Sequence, residues 1–179
     1  MRARKKHRLN SSGFTLSEFL VVIAVIAILS AIAIPAFSRW IPQYRLKGAA
    51  RDLYSTMQSM KMTAIKNNQD TDFVFSGGTP PSHQYQSRIW NADKTVVLDS
   101  RTVVLADYGS GIRFQNHDST ETFTAAPSPI TFNGRGFTDA PGTSFFVYLS
   151  NQNNSDFYRI GLASTGVISL QKWDGASYK

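Results

Sequence analysis

Glu18 is the only charged side chain between Leu9 and Arg39, and it stands at the mouth of twenty uncharged residues, Phe19 to Ser38 (FLVVIAVIAILSAIAIPAFS). A carboxylate at the centre of a membrane helix costs about 2.5–3.5 kcal/mol on insertion scales, and less near an end. A compensating group is therefore expected. The preceding residues, Gly13-Phe14-Thr15-Leu16-Ser17, suggest its source. If a peptidase cuts after Gly13, Phe14 gains a free amine. Glu18 lies four residues on, one helical turn away. A carboxylate beside that amine, on its own subunit or a neighbour's, would neutralise it inside an apolar assembly.

The other reactive side chains form no comparable pattern. The chain has no cysteine, which excludes a disulfide framework, a thiolate metal site and a cysteine nucleophile. His7 precedes the apolar run, and His83 and His117 lack metal-ligand spacing. Ser82-His83 and His117-Asp118 are single neighbours in predicted loops and make no triad. Both histidines are expected to be satisfied or exposed loop residues. Asn133-Gly134-Arg135-Gly136 lacks the Lys-Ser/Thr of a phosphate loop and reads as a tight turn between strands. Asp156 and Asp174 lack the dense acidic loop of a calcium site. Met57, Met60 and Met62 read as core and flank of a helix. The expectation is a structural protein, not an enzyme, with no metal and no cofactor.

The elements that position Glu18 follow from hydropathy and charge. As a helix, Phe19 to Ser38 would be about 30 Å long, the thickness of a bilayer core. Residues 1–13 (MRARKKHRLNSSG) carry five bases and no acid, residues 14–66 are net +4, and residues 67–179 are net −2. The basic leader stays on the cytoplasmic side by the positive-inside rule, and the remainder lies across the membrane. An ordinary secretory signal is the competing reading. Ala31-Ile32-Ala33 supplies its cleavage pattern and would release a soluble periplasmic protein. An acid at the mouth of the apolar run argues against it. Beyond Ser38, Leu46, Ala50, Leu53, Met57, Met60 and Ala64 recur at spacings of four and three, an amphipathic stripe. One helix over about 14–66 is predicted, ending at Asn67-Asn68-Gln69-Asp70. Pro35 and Pro42 lie inside it and are expected to kink or locally unwind it.

Residues 13–18, the basic leader, the apolar run and Pro35 together resemble the class III signal of type IV pilins and type II secretion pseudopilins. The resemblance implies that a prepilin peptidase cuts between Gly13 and Phe14, that the Phe14 amine is methylated, and that Glu18 pairs with a neighbouring amine during assembly. It implies other pilin or pseudopilin subunits, an inner-membrane assembly platform and, before assembly, the lipid bilayer as partners. The implied location is the bacterial inner membrane, single-pass with the head in the periplasm, and then a pilus or pseudopilus filament. Further along, Ile130-Thr131-Phe132-Asn133-Gly134-Arg135-Gly136, Tyr158-Arg159-Ile160-Gly161-Leu162 and Ser164-Thr165-Gly166-Val167-Ile168 resemble the GspH/FimT-like branch, the H-type pseudopilins and FimT/FimU minor pilins. The resemblance covers most of residues 11–172. The absence of a C-terminal cysteine pair also fits a minor, cysteine-free subunit.

From about residue 71 the texture is β, with short β-branched or aromatic runs between Gly, Pro, Asn and Ser breakers. Strands are predicted near 72–75, 85–89, 95–98, 102–105, 112–114, 130–133, 145–149, 158–162 and 167–170. The expected fold is α+β: a long N-terminal helix packed on a β-rich head, with two small antiparallel sheets. The expected organisation is a leader over 1–13, a transmembrane or filament-core helix over 14–38, an amphipathic helix over 39–66 and a globular head over 67–179. A net charge of +7 and a pI near 9.8 invite a nucleic-acid reading. A DNA receptor for uptake is the alternative function, since some FimT-like pilins are implicated in it. Such a role needs the scattered head bases to cluster in space. Most of the basicity resides in the leader, and residues 14–179 carry only +2.

Overall fold

The computed structural model describes residues 14–77, 83–118, 129–138 and 144–179, apart from the side chain of Arg39. Gly13, Ser82 and the predicted breakers at 78–81, 127–128 and 141–142 lie outside the described residues.

A single helix, α1, runs from Leu16 to Asn67, 52 residues, or about 78 Å at 1.5 Å per residue. It passes Pro35 and Pro42 without a break in assignment. The chain divides into two compact units, residues 1–39 and 40–179. In the described part of the first, no residue from Phe14 to Ser38 is buried. In the second, the predicted stripe is the buried face: Leu46, Ala50, Leu53, Met57 and Ala64 are fully buried and Met60 nearly so, while Met62 is exposed. The helix ends in a Schellman turn. Asn68 takes φ 49°, the Gln69 amide donates to the Ala64 carbonyl at 3.1 Å, and the Asn68 amide donates to Ile65 at 3.4 Å.

Among the described residues the head holds two four-stranded antiparallel sheets. The first has the order β3-β2-β1-β5, from β1 (Thr71–Ser76), β2 (Gln84–Trp90), β3 (Val97–Val104) and β5 (Ile130–Phe132). The second has the order β4-β6-β7-β8, from β4 (Arg113–Phe114), β6 (Phe145–Ser150), β7 (Phe157–Leu162) and β8 (Ile168–Lys172). Phe73, Tyr85 and Phe132 of the first sheet share one core with Phe114, Val147, Leu149 and Ile160 of the second and the helix stripe. Phe75 meets Phe114 edge-on at 5.7 Å, so the sheets touch directly.

One sequence expectation is corrected. Two strands near 95–98 and 102–105 are one strand, β3, followed by a 3-10 turn over Leu105–Tyr108. The polar Asp99-Ser100-Arg101 looked like a break. It pairs in register with Ile89, Arg88 and Ser87, and a strand at a sheet edge needs no apolar alternation when both faces are wet. The glycine turns are as expected, and they also join the sheets. Asn133 Oδ1 accepts the Arg135 and Phe137 amides, closing the turn after β5. The β7–β8 turn closes at Gly166, whose amide donates to the Ala163 carbonyl at 2.8 Å. These turns meet: Thr138 donates its amide to the Ser164 carbonyl, and Lys61 Nζ on α1 donates to the Gly166 carbonyl at 2.8 Å. Gly166 has φ +74°, and a Cβ there would run into the Gly136 carbonyl.

Leu53→Ala is expected to lower unfolding free energy by about 2–5 kcal/mol, because it opens a cavity at the point all layers share. Gly166→Ala should cost about 1–3 kcal/mol through backbone strain and the clash with Gly136. Urea unfolding of the detergent-solubilised chain, followed by near-UV circular dichroism, measures both.

Candidate assembly interface

At the start of α1, Thr15 is the N-cap and Glu18 the third helical residue. The Thr15 amide donates to Glu18 Oε2 at 2.8 Å, the Thr15 hydroxyl donates to the same oxygen at 2.8 Å, and the Glu18 amide donates to Thr15 Oγ1 at 3.3 Å. This is a capping box, in which side chains satisfy two orphan amides reciprocally. Phe14 and Phe19 occupy the positions of a hydrophobic staple around it. The carboxylate also sits at the positive end of the helix dipole. The Thr-x-x-Glu spacing was legible in the sequence, where Glu18 was read only as a partner for an amine. Gly13 lies outside the described residues, and Phe14 is 88% exposed.

Behind the cap, large apolar side chains cover every face of the helix. Leu16, Ile28, Leu29, Ile32 and Ile34 are each more than 60% exposed. Monomers in water do not expose an apolar surface of this extent, so it requires lipid or other chains around it. The length and composition suit a membrane span. Pro35 and Pro42 lack the amides that would reach the carbonyls of Ala31 and Ser38. They flank the boundary between the two units, after residue 39. The Ser38 hydroxyl donates to the Pro35 carbonyl at 3.0 Å. Just beyond, the exposed rings of Trp40 and Tyr44 stack at 5.3 Å. They border a groove of about 370 Å³ that Lys47, Asp156, Tyr158 and Lys172 also line.

Four bases of the head are held in ion pairs within it. Asp72, buried between β1 and β2, accepts two bonds from Arg88 at 2.7 and 2.6 Å and one from Trp90 Nε1 at 2.9 Å. These bonds raise the Arg88 pKa further. Lys94 pairs with Asp70, Lys172 with Asp156 and Lys179 with Asp174. Arg159 donates to Gln171 and lies over the rings of Phe146 and Tyr178. Asp52, on α1, accepts from the hydroxyls of Tyr85 and Tyr108 and ties the helix to β2 and the 3-10 turn. Burial, with the Asp52 carboxylate secondary to it, pushes Tyr85 up to about 12.

His83 is buried, and its Nδ1 accepts the Phe114 amide at 2.9 Å. His117 is exposed and stacks on Trp173 at 3.9 Å. Both fit the loop-residue reading. His117 joins a C-terminal clasp in which Lys172 and Lys179 exchange backbone bonds and the Tyr178 hydroxyl donates to Asn116. In that clasp the Lys179 ammonium, then the Ser177 and Ala176 amides, hold the Asp174 carboxyl well below the usual range. The clasp's anchor on Asn116 is not legible in the sequence, because Asn116 and Tyr178 lie 62 residues apart.

Comparisons with known proteins bear on both ends of the chain. Residues 49–166 match the family model described as type II transport protein GspH, and residues 8–34 match the prokaryotic N-terminal methylation motif. A curated relative, a fimbrial protein of Moraxella nonliquefaciens, is 26% identical over 127 residues, covering 71% of this chain and 70% of that protein. The crystal structure of the type IV minor pilin FimU of Pseudomonas aeruginosa shares the fold, with TM-score 0.50 at 12% identity over 76% of this chain and 94% of the other.

Two outcomes follow from the capping and tyrosine geometry. Thr15→Ala should speed hydrogen exchange at the Glu18 amide about 2–30-fold, the equivalent of a lost cap. Tyr85 titrates near 10 in an unfolded chain and near 12 in the fold, so its contribution is complete below pH 10 and is lost as pH rises towards 12. Thermal melts between pH 9 and 12 should show this fall, and Tyr85→Phe should flatten it.

Proposed function

The chain belongs to the GspH family of type II transport proteins, and on that premise we propose that it serves as a minor pilin or pseudopilin. It is a structural subunit of a type IV pilus or type II secretion pseudopilus. The observation that carries this reading is the apolar helix of residues 14–38, exposed on every side and headed by one capped carboxylate. Its environment is first a bilayer and then the helices of neighbouring subunits. The match to the methylation motif and the fimbrial relative support the same reading.

Prepilin peptidase cuts between Gly13 and Phe14, and the Phe14 amine is methylated. The head faces the periplasm, and the inner-membrane platform delivers the subunit to the filament. Glu18 then serves two states. In the free subunit its carboxylate satisfies the N-cap. In the filament it draws the Phe14 amine of the incoming or adjacent subunit, neutralising both charges in an apolar surrounding. The carbonyls freed at Pro35 and Pro42 make that stretch the point where the helix unwinds during packing. A DNA-receptor role lacks a comparable observation, since four head bases are held by acids.

In cells carrying the cognate machinery, the mature chain should begin at Phe14 by N-terminal sequencing. A start after Ala33 would overturn the reading in favour of a released periplasmic protein. Gly13→Val should leave the leader attached. Glu18→Ala should still be cut but drop out of sheared filaments by about tenfold or more, as expected for an unneutralised amine in an apolar site. Normal incorporation of that variant would refute the assigned role.

A further inference from the structure

We propose that the outer edge of β3 pairs with the same edge of a second copy of this chain, antiparallel and two-fold about Ser100. β3 lies at the margin of its sheet, with β2 on one side and, among the described residues, no strand on the other. Residues 97–102 are exposed, and Leu98 within them and Val96 just before them are both more than half exposed. Residues 97–104 contain neither Pro nor Lys, the usual blocks to edge pairing.

The hydrogen-bond phase identifies which backbone groups are available. The Leu105 amide donates to the His83 carbonyl at 2.9 Å, and the β2–β3 register runs unbroken from Gln84↔Val104 to Ile89↔Asp99, where a bulge at Leu98 shifts it to Trp90↔Val97. Hydrogen-bonded and non-bonded pairs alternate along an antiparallel ladder. Asp99, Arg101 and Val103 therefore turn their backbone groups towards β2. Ser100 and Thr102 turn theirs outward.

A two-fold axis at Ser100 uses this phase. Ser100 exchanges both backbone bonds with its counterpart, and the bulge at Leu98 confines the regular pairing to residues 99–101 of each copy. Asp99 then faces Arg101 of the other copy, twice by symmetry, and in the narrow non-bonded positions where side chains approach most closely. Only a short hydroxyl lies at the axis, so no side chain is crowded there. Among the described residues Asp99 and Arg101 have no ion-pair partner. This reciprocal charge match selects a second copy over an unrelated strand. The contact is isologous and closes on itself, unlike the helical packing of a filament. It goes beyond the subunit role above and does not depend on it.

The chain lacks cysteine, so Ser100→Cys offers a single reporter. Directly opposed bonded residues have Cα atoms about 5.5 Å apart, within the range a disulfide spans. The full-length chain in detergent micelles is oxidised with Ser100→Cys or, as control, with Ser55→Cys, exposed on α1. Ser100→Cys should form covalent dimer about tenfold faster than the control. Adding Asp99→Arg should remove about that advantage by opposing like charges, and adding Arg101→Asp as well should restore it. Equal rates at both cysteines, indifference to Asp99→Arg, or failure of the double reversal to rescue would each overturn the proposal.

Discussion

One helix has to satisfy two environments, and the rest of the molecule follows from that constraint. Up to Ser38 its apolar side chains cover every face, and among the described residues none of 14–38 is buried. From Leu46 to Ala64 only one stripe is apolar, and both sheets close on that stripe. Four short strands on each side bury little by themselves. Together with Leu46, Leu53 and Met57 they share one core of adequate size. A subunit built this way has a head that is complete and an apolar segment that is not.

The polar devices at the two ends of α1 differ in kind. The C-terminal end is closed by backbone geometry, through Asn68 in the left-handed region and two reversed bonds. The N-terminal end is closed by a carboxylate, which water would make unremarkable but lipid makes costly. In the capping box the carboxylate accepts two bonds, from the Thr15 amide and hydroxyl, and the Glu18 amide donates to Thr15 Oγ1, so the charge does not stand bare.

Charge illustrates how position overrides total. The pI near 9.8 comes chiefly from Arg2, Arg4, Lys5, Lys6 and Arg8, all ahead of the apolar run. In the head, Arg88, Lys94, Lys172 and Lys179 are engaged by acids that sequence order places 5 to 24 positions away. Asp72 is the clearest case. It is buried, and it is tolerable there because Arg88 and Trp90 supply three donors.

Local and periodic features were determined by the sequence alone. The apolar run, the 3-4 spacing of the stripe, the Asn stop and the Gly134–Gly136 turn each depend on neighbours within a few residues, so their physics is written in consecutive letters. Tertiary structure decided the rest. The order β3-β2-β1-β5 and its partner sheet, the Asp52 link to Tyr85 and Tyr108, the contact between the Gly136 and Gly166 turns, and the C-terminal clasp all join residues far apart in the chain. β3 shows the reason most plainly. Its polar centre contradicts the alternation expected of a half-buried strand, and only its pairing with β2 at the margin of the sheet, with no second neighbour among the described residues, makes Asp99-Ser100-Arg101 a strand.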